Sequence, residues 1–337
     1  MYLDFFNLSD YPFRLSPDLD YLYMSGAHSR AKAYLDYSIV SKDGFVVITG
    51  EVGSGKTILM RKLLEELPDD AILVHIEQTQ LNSIEFLQAV IHGLIGHVDT
   101  ANKVELQQRL RTFVEHAREA DTRVVIAVDE AQLLSIEVLE EVRMLSDLEA
   151  GKEKLISIIL MGQPELDRVI DSPNMEQFRQ RVRLRFHLEG MTEVETRTYV
   201  QVRLAVAGAS EPESIIRNDA CPLLYEYTGG IPRLINTLCD MALLTAYVAQ
   251  SRNVGPEVMQ SAINELGWKR YSERRAALDE ATARRNVAFA GVPSGVIPMS
   301  ALNRLNDTLE NIDRSLDRIA AVLDQQESVQ RKRGASS

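Results

Sequence analysis

The sequence predicts an α/β fold: a parallel five-stranded sheet built around a P-loop, followed by an α-helical lid domain and a C-terminal coiled-coil helix. Three observations carry this expectation. Gly50-Glu51-Val52-Gly53-Ser54-Gly55-Lys56-Thr57 fits the pattern G-x-x-x-x-G-K-[ST]. An apolar, β-branched run at 45–49 precedes it, and a run with helical apolar spacing at 58–67 follows, which is the strand–loop–helix context the motif needs. Five further residues, Val124 to Val128, are apolar and end in Asp129-Glu130, as a buried strand does when its carboxyl end meets a ligand. Strand patterns then stop near residue 190, and only helical periods follow.

The elements can be justified in chain order. Residues 1–40 form an aromatic, proline-punctuated arm, Tyr11-Pro12-Phe13-Arg14-Leu15-Ser16-Pro17-Asp18 and Tyr21-Leu22-Tyr23, ending in a helix over about 28–40. Its aromatics are expected either to strap the sheet edge or to wall a purine pocket. The core spans 41–189. Its strands are the run before the P-loop, 71–76, 124–130, 155–161 and 182–188. His75 reads as a satisfied strand histidine. In the fifth strand Val182, Leu184, Phe186 and Leu188 alternate with Arg183, Arg185 and His187, which predicts one exposed basic face. Helices are expected over 83–95, 103–120 and 136–148. The lid, 190–268, carries helices at 193–207, 219–227, 232–249 and 256–266. Gly229-Gly230 ends one of them, and Pro232 suits the first turn of the next. A linker follows over 269–299. Leu302, Leu305, Leu309, Ile312, Leu316, Ile319 and Leu323 keep a 3,4 spacing, so 300–327 is expected to be a coiled coil or a helix docked in a groove. Residues 328–337 read as a disordered tail.

Composition narrows the function classes. An apolar content of 45% allows a proper core. A net charge of -12 argues against a chain whose main task is coating nucleic acid or anionic membrane. The two cysteines, Cys221 and Cys239, lie in apolar surroundings and read as buried, reduced thiols. No signal peptide and no stretch long enough for a transmembrane helix is read, so the expected location is cytoplasmic, with at most peripheral contact at the inner membrane.

The candidate site gathers at the carboxyl ends of the strands. Gly50, Glu51, Val52, Gly53, Ser54 and Gly55 would wrap their backbone N–H groups around phosphates, with Lys56 neutralising the charge. Thr57 and Asp129 would hold Mg²⁺, and Glu130 would polarise the attacking water. Gln163, ending the fourth strand, is placed to hydrogen-bond a γ-phosphate or that water. Arg233, at a helix start in the lid, can fold over the phosphates. Arg179 or Arg181, just before the fifth strand, could reach a neighbouring subunit's nucleotide.

In this order the motifs resemble an AAA+ ATPase. More narrowly they resemble the secretion-associated ATPases of the GspA/ExeA and MSHA-pilus (MshM) type. The resemblance rests on Phe13, Ser16-Pro17-Asp18, Tyr21-Leu22-Tyr23, the P-loop, Asp129-Glu130-Ala131-Gln132, Leu145-Ser146-Asp147-Leu148-Glu149, Gly162-Gln163-Pro164-Glu165-Leu166 and Gly229-Gly230-Ile231-Pro232-Arg233-Leu234-Ile235-Asn236-Thr237-Leu238-Cys239-Asp240. It covers about residues 1–267. It implies ATP and Mg²⁺ as cofactors, Gln163 as sensor 1, Arg233 as sensor 2, Arg181 (or Arg179) as a finger acting in trans, and Phe13 bordering the adenine. It also implies a homo-oligomer, ring or filament, that assembles or regulates an envelope machine for secretion, a pilus or polysaccharide export. Longer family members carry a transmembrane helix and a periplasmic peptidoglycan-binding domain. Neither is read here, so that half of the family's function is not carried over.

Two other readings stand beside it. One is a nucleic-acid-binding ATPase of the initiator or transposition type, kept alive by the basic edges at 179–185 and 269–285. The other is a nucleotide-gated scaffold with little turnover, in which the coiled coil does the work.

Overall fold

Five runs pair as parallel strands, three of them buried on both faces and the two edge strands only in part. In the computed structural model, which describes residues 2–40, 45–150, 153–278 and 280, these strands are β1 (Phe45–Gly50), β2 (Ala71–Ile76), β3 (Arg123–Val128), β6 (Ile156–Gly162) and β7 (Leu184–Leu188). Their order is β2-β3-β6-β1-β7. Two short strands, β4 (Glu149–Ala150) and β5 (Glu153–Lys154), pair antiparallel in a separate ribbon.

The apolar runs look uniform in sequence, but the pleat divides them. Phe45, Val47, Val124, Ile126, Val128, Ile158 and Leu160 enter one core layer, and Val46, Ile48, Val125, Ala127, Ile159 and Met161 the other. Helices α4 (Ser83–Ile95), α5 (Lys103–Glu119) and α6 (Ile136–Ser146) cover the first layer through Phe86, Leu110 and Leu139. Helices α2 (Gly26–Val40) and α3 (Lys56–Glu65) cover the second through Leu35 and Met60. Local chemistry sets the helix starts. Asn82 and Glu85 form a reciprocal capping box on α4, and Ser135 accepts the Val138 N–H at the start of α6.

The sheet continues through α7 (Glu165–Ile170) and α8 (Glu176–Arg181), which lead from β6 to β7. Beyond it lie α9 (Glu193–Val206), α10 (Pro212–Ile215), α11 (Cys221–Thr228), α12 (Pro232–Val248) and α13 (Pro256–Leu266). Their apolar faces share one core that includes Leu204, Leu224, Ile235, Leu243 and Ile263. Both cysteines are buried and free.

The aromatics ahead of α2 pack into the helical lid rather than at the sheet edge or in a purine pocket wall. Helix α1 (Tyr2–Phe6) and the residues after it pack into the helical lid, where Tyr2, Phe6, Leu8, Phe13 and Tyr21 join the core of α9–α13. The Ser9 N–H donates to the Ala207 carbonyl at 2.8 Å, and the Tyr2 hydroxyl to Asp240 Oδ1 at 2.5 Å. Phe13 is only 2% exposed, so each such ring contributes about 1.5–3 kcal/mol of apolar burial to the lid. The basic face of β7 is also more occupied than alternation suggests, since Arg185 pairs with Asp171 at 2.7 Å.

The chain divides after Ser272 into two units. Of the second, residues 273–278 and 280 are helical. The expected coiled coil at 300–327 and tail at 328–337 lie outside the described residues, as does most of the linker. Among the described residues no helix is long and apolar enough to cross a membrane.

Candidate functional site

The P-loop leaves the carboxyl end of β1, between β6 and β7, and turns into α3. Two of its glycines are required by geometry. Gly53 (φ +81°) and Gly55 (φ +104°) hold left-handed backbone that side chains disfavour. A Cβ on Gly53 would lie 2.3 Å from the Arg233 Cβ, and one on Gly55 would lie 2.5 Å from His28 Nε2. The loop is therefore gripped from the lid and from α2. The Arg233 N–H donates to the Gly53 carbonyl at 3.2 Å.

Lys56 is buried, and its ammonium donates to the Gly50 and Glu51 carbonyls at 2.7 and 3.1 Å. Burial pushes its pKa below the ordinary lysine value, while the charges of Glu130 and Asp129 pull it back up. Asp129, at the end of β3, is buried as well. Its Oδ2 accepts from the Thr57 hydroxyl at 3.1 Å, and its Oδ1 accepts the Glu130 N–H at 2.8 Å. A hydroxyl beside a single carboxylate is a hard-oxygen pair of the kind Mg²⁺ uses when waters and phosphate complete its shell. Among the described residues no cluster of three or more His, Cys, Asp or Glu offers an all-protein metal cage.

Glu130 sits in left-handed backbone (φ 49°, ψ 36°), an uncommon place for a non-glycine residue and one often found at functional positions. Its Oε2 accepts two amide hydrogens, from Gln132 Nε2 at 2.6 Å and Gln163 Nε2 at 3.1 Å. Gln132 Oε1 in turn accepts the Gln163 N–H at 2.9 Å. One side chain thus ties the end of β3 to the end of β6 and fixes one oxygen of Glu130. Gln163 meets Glu130 and Gln132 rather than Asp129.

These groups open on a cleft of about 350 Å³ between core, arm and lid. It is lined by Val52, Gly53 and Gly55 to Ile58 of the P-loop and α3, by Glu130, by Arg14 to Asp18, and by Tyr199, Arg203, Pro232, Arg233 and Asn236 of the lid. The lining carries four basic side chains (Arg14, Lys56, Arg203, Arg233) and two carboxylates (Asp18, Glu130). Within a chain of net charge -12 this is a local reversal suited to an anion.

Not every expected residue is here. Phe13 does not line the cleft; it is buried in the lid, and Arg14 to Asp18 form the wall instead. Arg181 lies at the other end of the sheet. It pairs with Asp147 at 2.9 Å and lines a depression with Phe45, the first residue of β1, whereas Gly50 is the last. Five strand steps separate those ends by about 16 Å. Arg181 therefore cannot serve the cleft of its own chain.

Sequence reasoning passed over Gln132 as a separate contributor, and over His28. His28 is 3% exposed; its Nε2 lies 3.0 Å from the Ser54 carbonyl and its Nδ1 2.7 Å from Ser25 Oγ. Burial lowers its pKa, opposed by the Ser54 carbonyl and the charge of Glu195. Neutral His28 thus supports the P-loop from below. Its position in the first turn of α2 gives no sequence signal of this.

A five-stranded parallel sheet with a P-loop after β1, an acidic β3 end and a helical lid defines a P-loop protein of the AAA type. Residues 39–170 match the AAA domain family. The chain is similar to general secretion pathway protein A of Aeromonas hydrophila, with 39% identity over 255 residues. The match takes in 75% of this chain and 46% of that protein, so the chain spans about half the length of the curated relative it matches. Among solved structures, Cdc6p of Pyrobaculum aerophilum aligns with a TM-score of 0.58 at 19% identity, covering 74% of this chain and 70% of that one. The ORC1 protein of Aeropyrum pernix, solved in complex with DNA, aligns with a TM-score of 0.54 at 16% identity, covering 76% and 69%. At these identities the two structures speak for the fold alone.

Proposed function

We propose that the chain is an ATP-hydrolysing AAA+ protein that assembles or regulates a bacterial envelope machine, with turnover that depends on its oligomeric state. The observation that carries hydrolysis is the hydrogen-bonded Glu130 carboxylate lining the same cleft as Lys56 and Thr57. Bound Mg²⁺ supplies charge neutralisation at the β- and γ-phosphates. The P-loop N–H groups and Lys56 cradle the phosphates, and Thr57 with Asp129 holds the metal. Glu130 takes the proton of the attacking water, with Gln132 and Gln163 holding the carboxylate by its Oε2. Arg233, bonded through its backbone to the P-loop, brings the lid onto the phosphates.

Dependence on assembly is supported by the distance of Arg181 from its own cleft. A finger in trans raises rates by about 10³–10⁵ in other NTPases. The secretion context is supported by the likeness to general secretion pathway protein A, and a homo-oligomer working with secretion, pilus or polysaccharide-export components is part of the same proposal. On this reading ATP turnover per chain rises with protein concentration. Lys56→Ala should abolish nucleotide binding, and Glu130→Gln should bind ATP without turning it over. Hydrolysis at the wild-type rate by Glu130→Gln would sink the assignment.

A further inference from the structure

One cation in the cleft has no counter-ion among the described residues and no role in the chemistry above. Arg203, on α9, is 6% exposed and lines the cleft. Its Nε donates to the Pro12 carbonyl, its Nη1 donates to the Tyr199 hydroxyl at 3.0 Å, and its Nη2 is buried with no hydrogen-bond partner. Its guanidinium carbon lies 4.7 Å from the centre of the Tyr21 ring and 5.5 Å from that of Tyr199. Among the described residues no carboxylate pairs with it. A buried charge with an idle donor is costly unless a partner arrives.

Its place in the cleft follows from a chain of contacts. Arg233 touches the P-loop at Gly53. Asn236, about one turn further along α12, accepts from the Tyr199 hydroxyl at 2.8 Å, and Tyr199 accepts from Arg203. The second side of Asn236 is also used, since its Nδ2 donates to the Arg14 carbonyl at 3.2 Å. Along this wall Arg233 meets the P-loop directly, and Arg203 is linked to the same helix through Tyr199 and Asn236. On this wall the Arg203 Nη2 is a buried donor without a hydrogen-bond partner among the described residues.

We propose that Arg203 reads the base end of the bound nucleotide: its Nη2 donates to a ring-nitrogen acceptor of the purine while the phosphates lie on Gly53 to Thr57. The inference rests on the ATP reading above. Two tyrosine rings lie against the guanidinium, Pro12 and Tyr199 take its Nε and Nη1 donors, and the Nη2 donor is left for the ligand. The phosphate end already has Lys56, Arg233 and the loop N–H groups.

The test uses the full chain and two probes, ATP and inorganic tripolyphosphate, measured by calorimetry. Arg203→Lys and Arg203→Gln should each weaken ATP binding about 10- to 100-fold, the range for a lost bond to a charged donor, and change tripolyphosphate binding less than about twofold. Equal losses for both probes, or no loss for either, would overturn the proposal. Wild-type protein that binds tripolyphosphate as tightly as ATP overturns it as well. If the wild-type chain binds neither, the nucleotide reading itself fails and takes the inference with it.

A second measurement needs no folded variant. The 1-deaza, 3-deaza and 7-deaza analogues of ATP each lack one ring acceptor. One of them should bind wild type about 10-fold or more weakly than ATP. Wild-type affinity for all three would refute the assignment.

Discussion

Gln132→Ala removes two contacts at once. The Glu130 carboxylate loses its 2.6 Å amide donor, and the Gln163 N–H loses its acceptor at 2.9 Å. A hydrogen bond to a charged group is worth about 1.5–3 kcal/mol. If half or more of that loss falls on the orientation of Glu130 in the transition state, kcat drops about 3- to 150-fold, at about 1.4 kcal/mol per tenfold. Gln132 does not line the cleft, so nucleotide affinity should stay within about twofold of wild type. The assay is steady-state ATP hydrolysis with an independent Kd from calorimetry. Gln132→Glu sets two carboxylates together and should lose more than the alanine variant. The reasoning is refuted if kcat is unchanged, or if KM and Kd rise in step with the fall in kcat, because the side chain would then act on binding or on the fold.

Two further predictions concern groups that burial perturbs. His28 is held neutral by burial, so its folded pKa lies below the ordinary value near 6.5. The unfolded chain therefore takes up a proton first as pH falls, and stability is lost below about pH 6.5, by at most about 1.4 kcal/mol per pH unit. Urea midpoints at pH 7.5, 6.5 and 5.5 should decline more steeply for wild type than for His28→Gln; parallel declines would remove His28 from the account. Burial also pushes the Cys221 thiol up to about 11 and raises Cys239. Neither thiol should react with a thiol-specific reagent at pH 8 in the folded protein, and both should react in denaturant. Rapid labelling of the native chain would contradict their burial.

Much of the architecture could be read from residues because it rests on local rules. Runs such as Val124 to Val128 are too uniformly apolar for anything but a buried strand, and Pro232 marks the start of α12. The P-loop, Asp129, Glu130 and Gln163 lie at strand ends, and a parallel sheet brings strand ends together whatever the side chains are. Contacts that depend on three-dimensional neighbours were not legible. The aromatic arm announced burial but not its partner, which turned out to be the lid, so Phe13 was assigned to the wrong surface. The ribbon of β4 and β5 is short and polar, with no alternation to detect. Gln132 and His28 work through hydrogen bonds across 31 and 26 residues of sequence, and no spacing rule encodes those.

The central claim is that the cleft is completed by a second copy of the chain, through Arg181. Co-expression of differently tagged Arg181→Ala and Glu130→Gln chains, followed by two-tag purification, isolates oligomers containing both. Each variant alone should hydrolyse ATP at the background rate. The mixed oligomer should regain a substantial share of wild-type turnover, because an intact cleft in one chain meets an intact arginine in the other. A mixed oligomer as inactive as its parents, or an Arg181→Ala protein as active as wild type, would contradict the claim.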